Sequence, residues 1–95
     1  MMSSDTDIDC AALGEYTESS NKARDAARRR HAEMCNVSNY LARQAQSPES
    51  ETNHNEVLSA VNRMLDAERE MRKAVERANL LAQACYKPPL KLASL

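Results

Sequence analysis

Apolar and polar positions follow each other along this chain in steps of three and four, and they do so over two long stretches. In the first, Leu13, Tyr16, Ser20, Ala23, Ala27, Arg30, Met34, Val37, Leu41 and Gln44 fall on one line. In the second the line runs Val57, Val61, Met64, Glu68, Met71, Val75, Ala78, Ala82 and Cys85. A 3.5-residue average is the spacing of a coiled-coil or bundle seam, narrower than the stripe of an ordinary surface helix. Two helices are predicted, the first over about 9–46 and the second over about 53–86.

The breaks between them carry their own signals. Residues 1–8 form a short acidic, Ser-containing leader without the apolar bulk to order itself, and Asp9 reads as the cap of the first helix. Ser47-Pro48-Glu49-Ser50-Glu51-Thr52 reads as a turn. Asn53 with Glu56 three residues on resembles a capping box for the second helix, although Pro48 offers a rival start. Lys87-Pro88-Pro89 ends that helix, since proline disfavours helical backbone in its predecessor. A Leu-bearing tail, expected to be extended, closes the chain over 87–95.

A turn this short makes the helices antiparallel. Folding the hairpin about residue 49 sets Leu41 against Val57, Val37 against Val61, Met34 against Met64 and Ala27 against Met71. The only charged seam positions, Arg30 and Glu68, also meet in this register. A charge buried there alone would cost several kcal/mol, about 3–5 when its partner is missing. Arg30 and Glu68 are therefore expected to form a structural ion pair that fixes register.

Composition narrows the class further. Fifteen of the 40 hydrophobic residues are alanine, Phe and Trp are absent, and Gly14 is the single glycine. β-Sandwiches, barrels and Gly-rich phosphate-binding folds need turn and strand residues that this chain lacks. The expectation is an all-α fold: an antiparallel two-helix hairpin like a coiled coil, too poor in bulk to be complete alone. Apolar residues flank the second seam on both sides, Leu58 and Leu65 on one, Ala60, Ala67, Ala74 and Leu81 on the other. Two helices cannot cover both flanks. Dimerisation into a four-helix bundle, or docking on another protein, is expected through Leu58, Leu65 and Leu81 and through the tail residues Leu90, Leu92 and Leu95. The competing expectation is that the tail folds back over its own hairpin.

Net charge is −1, so no global field draws the chain to nucleic acid or membrane. Locally, residues 17–47 hold six basic residues against three acidic ones. Lys22, Arg24, Arg28 and Arg29 are the candidate face for nucleic acid or an acidic partner. No aromatic stacks beside them, and Asp25 and Glu33 dilute the field.

Catalytic chemistry has little to stand on. His31 and His54 have no Gly-rich turn exposing a nucleophile beside them, and the carboxylates lie at helix spacings from bases. His31 and Cys35, four apart, could supply two metal ligands, but a site needs three or four. Cys10 and Cys85 fall near the open end of the hairpin, yet three cysteines without a pattern read as free thiols of a reducing compartment. The sequon Asn36-Val37-Ser38 reads as incidental in the absence of a secretory signal. No catalytic residue, metal or cofactor is expected, and the compartment is expected to be the cytoplasm.

The functional expectation is a non-catalytic protein–protein interaction module: a small adaptor, chaperone or inhibitor, of the size and economy of phage accessory proteins that act on larger host proteins. The alternative is a small nucleic-acid-associated regulator using Arg24, Arg28 and Arg29.

Overall fold

The computed structural model describes residues 10–95. Among these there is no strand: α1 (Cys10–Gln46) and α2 (His54–Ala82) pack side by side as a hairpin, and short 3-10 turns follow at Gln83–Cys85 and Leu92–Ser94. The leader and the expected Asp9 cap lie outside the described residues. With 37 residues, α1 is roughly 55 Å long at the usual rise per residue.

The turn is tied to α1 by side chains rather than by apolar contact. The Asn53 side chain caps α2 by accepting the Glu56 N–H at 3.1 Å. The reciprocal half of a capping box is not made by Glu56. Instead the Asn53 N–H donates to the Tyr40 hydroxyl at 2.8 Å. From the next turn of α1, the Gln44 amide donates to the Ser50 carbonyl and the Thr52 hydroxyl. The two bonds at Asn53 satisfy N–H groups that a helix start leaves without intrahelical partners, a cap alone being worth about 1 kcal/mol. Helix α2 therefore begins at His54 and not at Pro48.

At the other end α2 stops four residues short of the expected boundary. Ala82 leads into a 3-10 turn, and Tyr86 takes the left-handed conformation with φ 55° and ψ 40°. Lys87 N–H donates to Ala82 O and Tyr86 N–H to Gln83 O, the bond pair of a Schellman motif. Glycine usually holds that position. Here an exposed tyrosine does, at a steric cost of about 1 kcal/mol.

The seam keeps the expected period but not the expected phase. Tyr16, Ala23, Arg30, Val37 and Gln44 face α2 as the pattern predicts. The alternate positions move by one: Ala12, Ala26, Glu33 and Tyr40 turn inward in place of Leu13, Ala27, Met34 and Leu41, and Ser19 joins Ser20. Ala12, Ser19 and Ala26 are buried, Glu33 and Tyr40 half-buried, whereas Met34 and Leu41 are exposed. Ser20 stays buried, and Leu13 and Ala27 are half-buried beside the seam.

On α2, Ala60 and Ala67 are buried and stand in for Val61 and Glu68, while Met71, Val75, Ala78, Ala82 and Cys85 remain at the core. Small side chains explain this choice of flank. Alanine and serine on both helices permit close backbone approach, and the polar inward residues find partners: Glu33 takes Arg63, and Tyr40 takes the turn. The leucines of α2's opposite flank are left outside.

Candidate functional site: a divided apolar face

The rotation of the seam gives the hairpin two unlike sides. One side is closed by ion pairs between the helices. Arg29 donates to both carboxylate oxygens of Glu70 at 2.9 and 3.2 Å, Arg63 donates to Glu33 at 2.8 Å, and Arg77 pairs with Glu15. The bidentate bond from Arg29 holds the Glu70 carboxyl below the usual glutamate range, and Glu70 in turn raises Arg29. Arg63 lowers Glu33 in the same way. Lys22 lies on this side, in the cleft shared by Arg29, Glu70 and Arg77.

The other side is apolar and falls into three parts along its length. Nearest the open end it is covered by the C-terminal tail. After Pro88 and Pro89 the chain turns back along α2, and Asn79 clamps it: the Leu90 N–H donates to Asn79 Oδ1 at 2.7 Å, and Asn79 Nδ2 donates to the Leu90 carbonyl at 3.2 Å. Tyr16 of α1 donates to the Pro88 carbonyl at 3.3 Å. Leu92 and Leu95 then line a cleft together with Ala27 and Met71. The tail is tied back to the hairpin at Pro88 and Leu90, and an extended stretch is followed by a 3-10 turn at Leu92–Ser94.

In the middle stands the ion pair of Arg30 and Glu68, with Nε 3.0 Å from Oε1. The two side chains keep 35% and 30% exposure, so the pair borders the seam rather than being sealed in it. Arg72 approaches the second Glu68 oxygen at 4.0 Å.

Beyond the pair, toward the turn, the apolar side is uncovered. Met34 and Leu41 of α1 and Leu58 and Leu65 of α2 are 41%, 48%, 47% and 38% exposed. Val61 lies between them, half-buried, and with Val57, Leu58, Thr52 of the turn and His54 at the start of α2 it lines a hollow of about 280 Å³. Isolated exposed leucines are ordinary, whereas here large aliphatics from two helices are gathered on one side.

The six apolar site residues named from the sequence thus separate into three groups. Leu58 and Leu65 belong to the uncovered patch. Leu90 is held to its own hairpin by Asn79, while Leu92, 41% exposed, and Leu95 border the cleft between the tail and the helices. Leu81 is half-buried and occupies the Ala60–Ala67–Ala74 flank, away from Leu58 and Leu65. Met34, Leu41 and Val61 were absorbed into the expected seam and so missed as surface residues. Asn79 and Tyr16 were missed as tail anchors, because hydrogen bonds to a remote backbone leave no periodic trace.

The four basic candidates do not share a face either. Arg24 and Arg28 line the cleft beside the tail, together with Arg30, His31 and Arg72. Lys22 and Arg29 sit on the ion-paired side.

His31 Nε2 and Cys35 Sγ are 3.5 Å apart, yet among the described residues no three His, Cys, Asp or Glu side chains gather closely enough to hold a metal ion. Cys10 and Cys35 are exposed free thiols; Cys85 is buried, its Sγ bonded to the Leu81 carbonyl at 3.3 Å. No described helix is long and apolar enough to cross a membrane. The chain matches no protein-family model, and no curated protein or solved structure is significantly similar to it.

Proposed function

We propose that this chain is a non-catalytic protein–protein interaction module, an adaptor, chaperone or inhibitor, whose uncovered apolar patch pairs with a second copy to complete a four-helix bundle. The observation that carries the reading is the asymmetry of the hairpin. One side is closed by three cross-helix ion pairs, whereas the turn-proximal half of the other exposes Met34, Leu41, Leu58 and Leu65. A patch with contributions from both helices can meet its own copy across a two-fold axis, Leu58 and Leu65 of one chain lying between Met34 and Leu41 of the next.

The energy of that contact is modest. Full burial of such a side chain is worth about 1.5–3 kcal/mol, so completing the burial of one that is nearly half-exposed adds about 1 kcal/mol. Eight side chains per dimer give roughly 8 kcal/mol, against an association cost of about 4–15 kcal/mol. The dimer is accordingly a weak, exchanging one, which suits a module that gives up its own copy for a larger protein.

Sedimentation equilibrium over micromolar to millimolar chain tests the proposal. The wild type should move from monomer toward dimer across that range, and Leu58→Glu with Leu65→Glu should remain a folded monomer throughout. A wild type that stays monomeric, or a variant that dimerises equally, would overturn the patch as the contact. The nucleic-acid reading has weaker support, because Lys22 and Arg29 lie apart from Arg24 and Arg28 and Arg29 is already neutralised by Glu70.

A further inference from the structure

We infer that the cleft between the hairpin and its tail binds an extended acidic peptide bearing leucine-type side chains, its carboxylates on Arg24, Arg28 and Arg72 and its apolar groups on Ala27 and Met71. This rests on the reading of the chain as a protein-binding module, but it concerns a different part of the apolar side from the dimer patch. The two are separated by the Arg30–Glu68 pair.

Charge is the first ground. The cleft, about 730 Å³, is lined by Arg24, Arg28, Arg30 and His31 from α1 and by Arg72 from α2. On the opposite side of the hairpin Arg29, Arg63 and Arg77 each have a carboxylate across the helix interface. In the cleft the balance is different. Arg24 makes no ion pair among the described residues. Arg28 reaches only Asp25, at 3.9 Å, with side chains 75% and 65% exposed, a contact worth almost nothing in water. Glu68 is shared between Arg30 and Arg72. Among side chains, four guanidinium groups thus have two carboxylates within reach, and Arg24 and Arg28, one helical turn apart, present exposed forks for planar anions.

Shape is the second. The floor, Ala27 and Met71, is apolar, and Leu92 and Leu95 form one wall. The tail demonstrates that this side of the hairpin accepts an extended chain: Asn79 reads both backbone groups of Leu90, and leucines follow. A second extended segment alongside it would meet cations above and apolar surface below. Alternate side chains of an extended peptide point to opposite sides, so acidic and apolar residues in alternation satisfy both.

The chemistry favours carboxylates of a peptide over a nucleic acid. No Phe, Tyr or Trp side chain lines the cleft to stack a base, and no glycine-rich run of backbone N–H groups cradles a phosphate there.

Fluorescence anisotropy of the full chain tests this with three labelled probes: an octapeptide alternating Glu and Leu, its Gln–Leu counterpart, and a single-stranded oligonucleotide. The Glu–Leu peptide should bind, weaken as salt rises, and exceed the Gln–Leu peptide at least tenfold in affinity. Arg24→Glu with Arg28→Glu should reduce that affinity at least tenfold, and Lys22→Glu, a single charge reversal on the far side, should leave it unaltered. Circular dichroism checks the fold of each variant. Should the double reversal unfold the chain, Arg24→Gln with Arg28→Gln must still weaken binding several-fold. Equal binding of the two peptides, indifference to the arginine changes, or binding of the oligonucleotide alone would each overturn the inference. Repeating the titration with Leu58→Glu and Leu65→Glu separates the two readings, because the peptide should still bind when the dimer patch is destroyed.

Discussion

Replacing Arg30 and Glu68 by methionine, singly and together, measures what the one charged layer of the seam contributes. The Nε–Oε1 distance of 3.0 Å makes this a charge-assisted hydrogen bond, and each side chain retains about a third of its exposure. At an effective dielectric near 20 the gross attraction of such charges is roughly 4 kcal/mol. Solvent screening and side-chain ordering cut this sharply, exposed pairs measuring about 0.2–1 kcal/mol and hydrogen bonds to charged groups about 1.5–3 kcal/mol. A coupling energy of about 1.5 kcal/mol is therefore expected from a double-mutant cycle read by urea unfolding.

The geometry also predicts an asymmetry between the single variants. Without Arg30, Glu68 still has Arg72 at 4.0 Å; without Glu68, Arg30 and Arg72 are left as neighbouring like charges. Glu68→Met should therefore cost more stability than Arg30→Met. The double variant should lie close to wild type, since apolar replacements of a paired layer are often neutral. A coupling below about 0.3 kcal/mol, within the error of additivity, would refute the claim that the pair acts as a unit.

Three further outcomes follow from local geometry. Tyr86→Gly should stabilise the hairpin by about 0.5–1 kcal/mol, relief of the left-handed strain exceeding the entropy of an added glycine. It should show as a rise of a few degrees in Tm, and a fall would contradict the strain assignment. Ser20→Ala should add about 1 kcal/mol in urea unfolding, because the Ser20 hydroxyl is buried with no hydrogen-bond partner among the described residues and alanine is the better helix former. Acid should weaken the fold in a defined way. Glu33 and Glu70 are held below the usual carboxylate range, so their contribution is complete above about pH 4.3, the unfolded value, and is lost as pH falls through their lower folded values. Arg29→Ala and Arg63→Ala should each flatten the acid arm of urea midpoint against pH, and an unchanged arm would count against these pairs.

The heptad period made the hairpin and the meeting of Arg30 with Glu68 legible in the sequence. Phase was not legible, because α1 offers two adjacent residues at every second step: Ser19 or Ser20, Ala26 or Ala27, Glu33 or Met34, Tyr40 or Leu41. Hydropathy favours Met34 and Leu41. The fold chooses Glu33 and Tyr40, whose polar ends reach Arg63 and the Asn53 N–H. That choice converts two expected core residues into surface, and it places the patch where Leu58 and Leu65 alone had suggested one. The division of the basic cluster has the same origin. Lys22, Arg24, Arg28 and Arg29 are close in sequence, but the helix carries Lys22 and Arg29 to one side and Arg24 and Arg28 to the other.

Methyl NMR of the full chain as a function of concentration addresses the central claim, that the uncovered turn-proximal patch is where this protein meets its partner copy. The methyl signals of Met34, Leu41, Leu58 and Leu65 should shift progressively as concentration rises toward millimolar. Leu80, which is 71% exposed but lies outside the patch, should not move. Shifts concentrated at Leu80, or signals at the four patch residues that stay fixed across the whole range, would contradict the account.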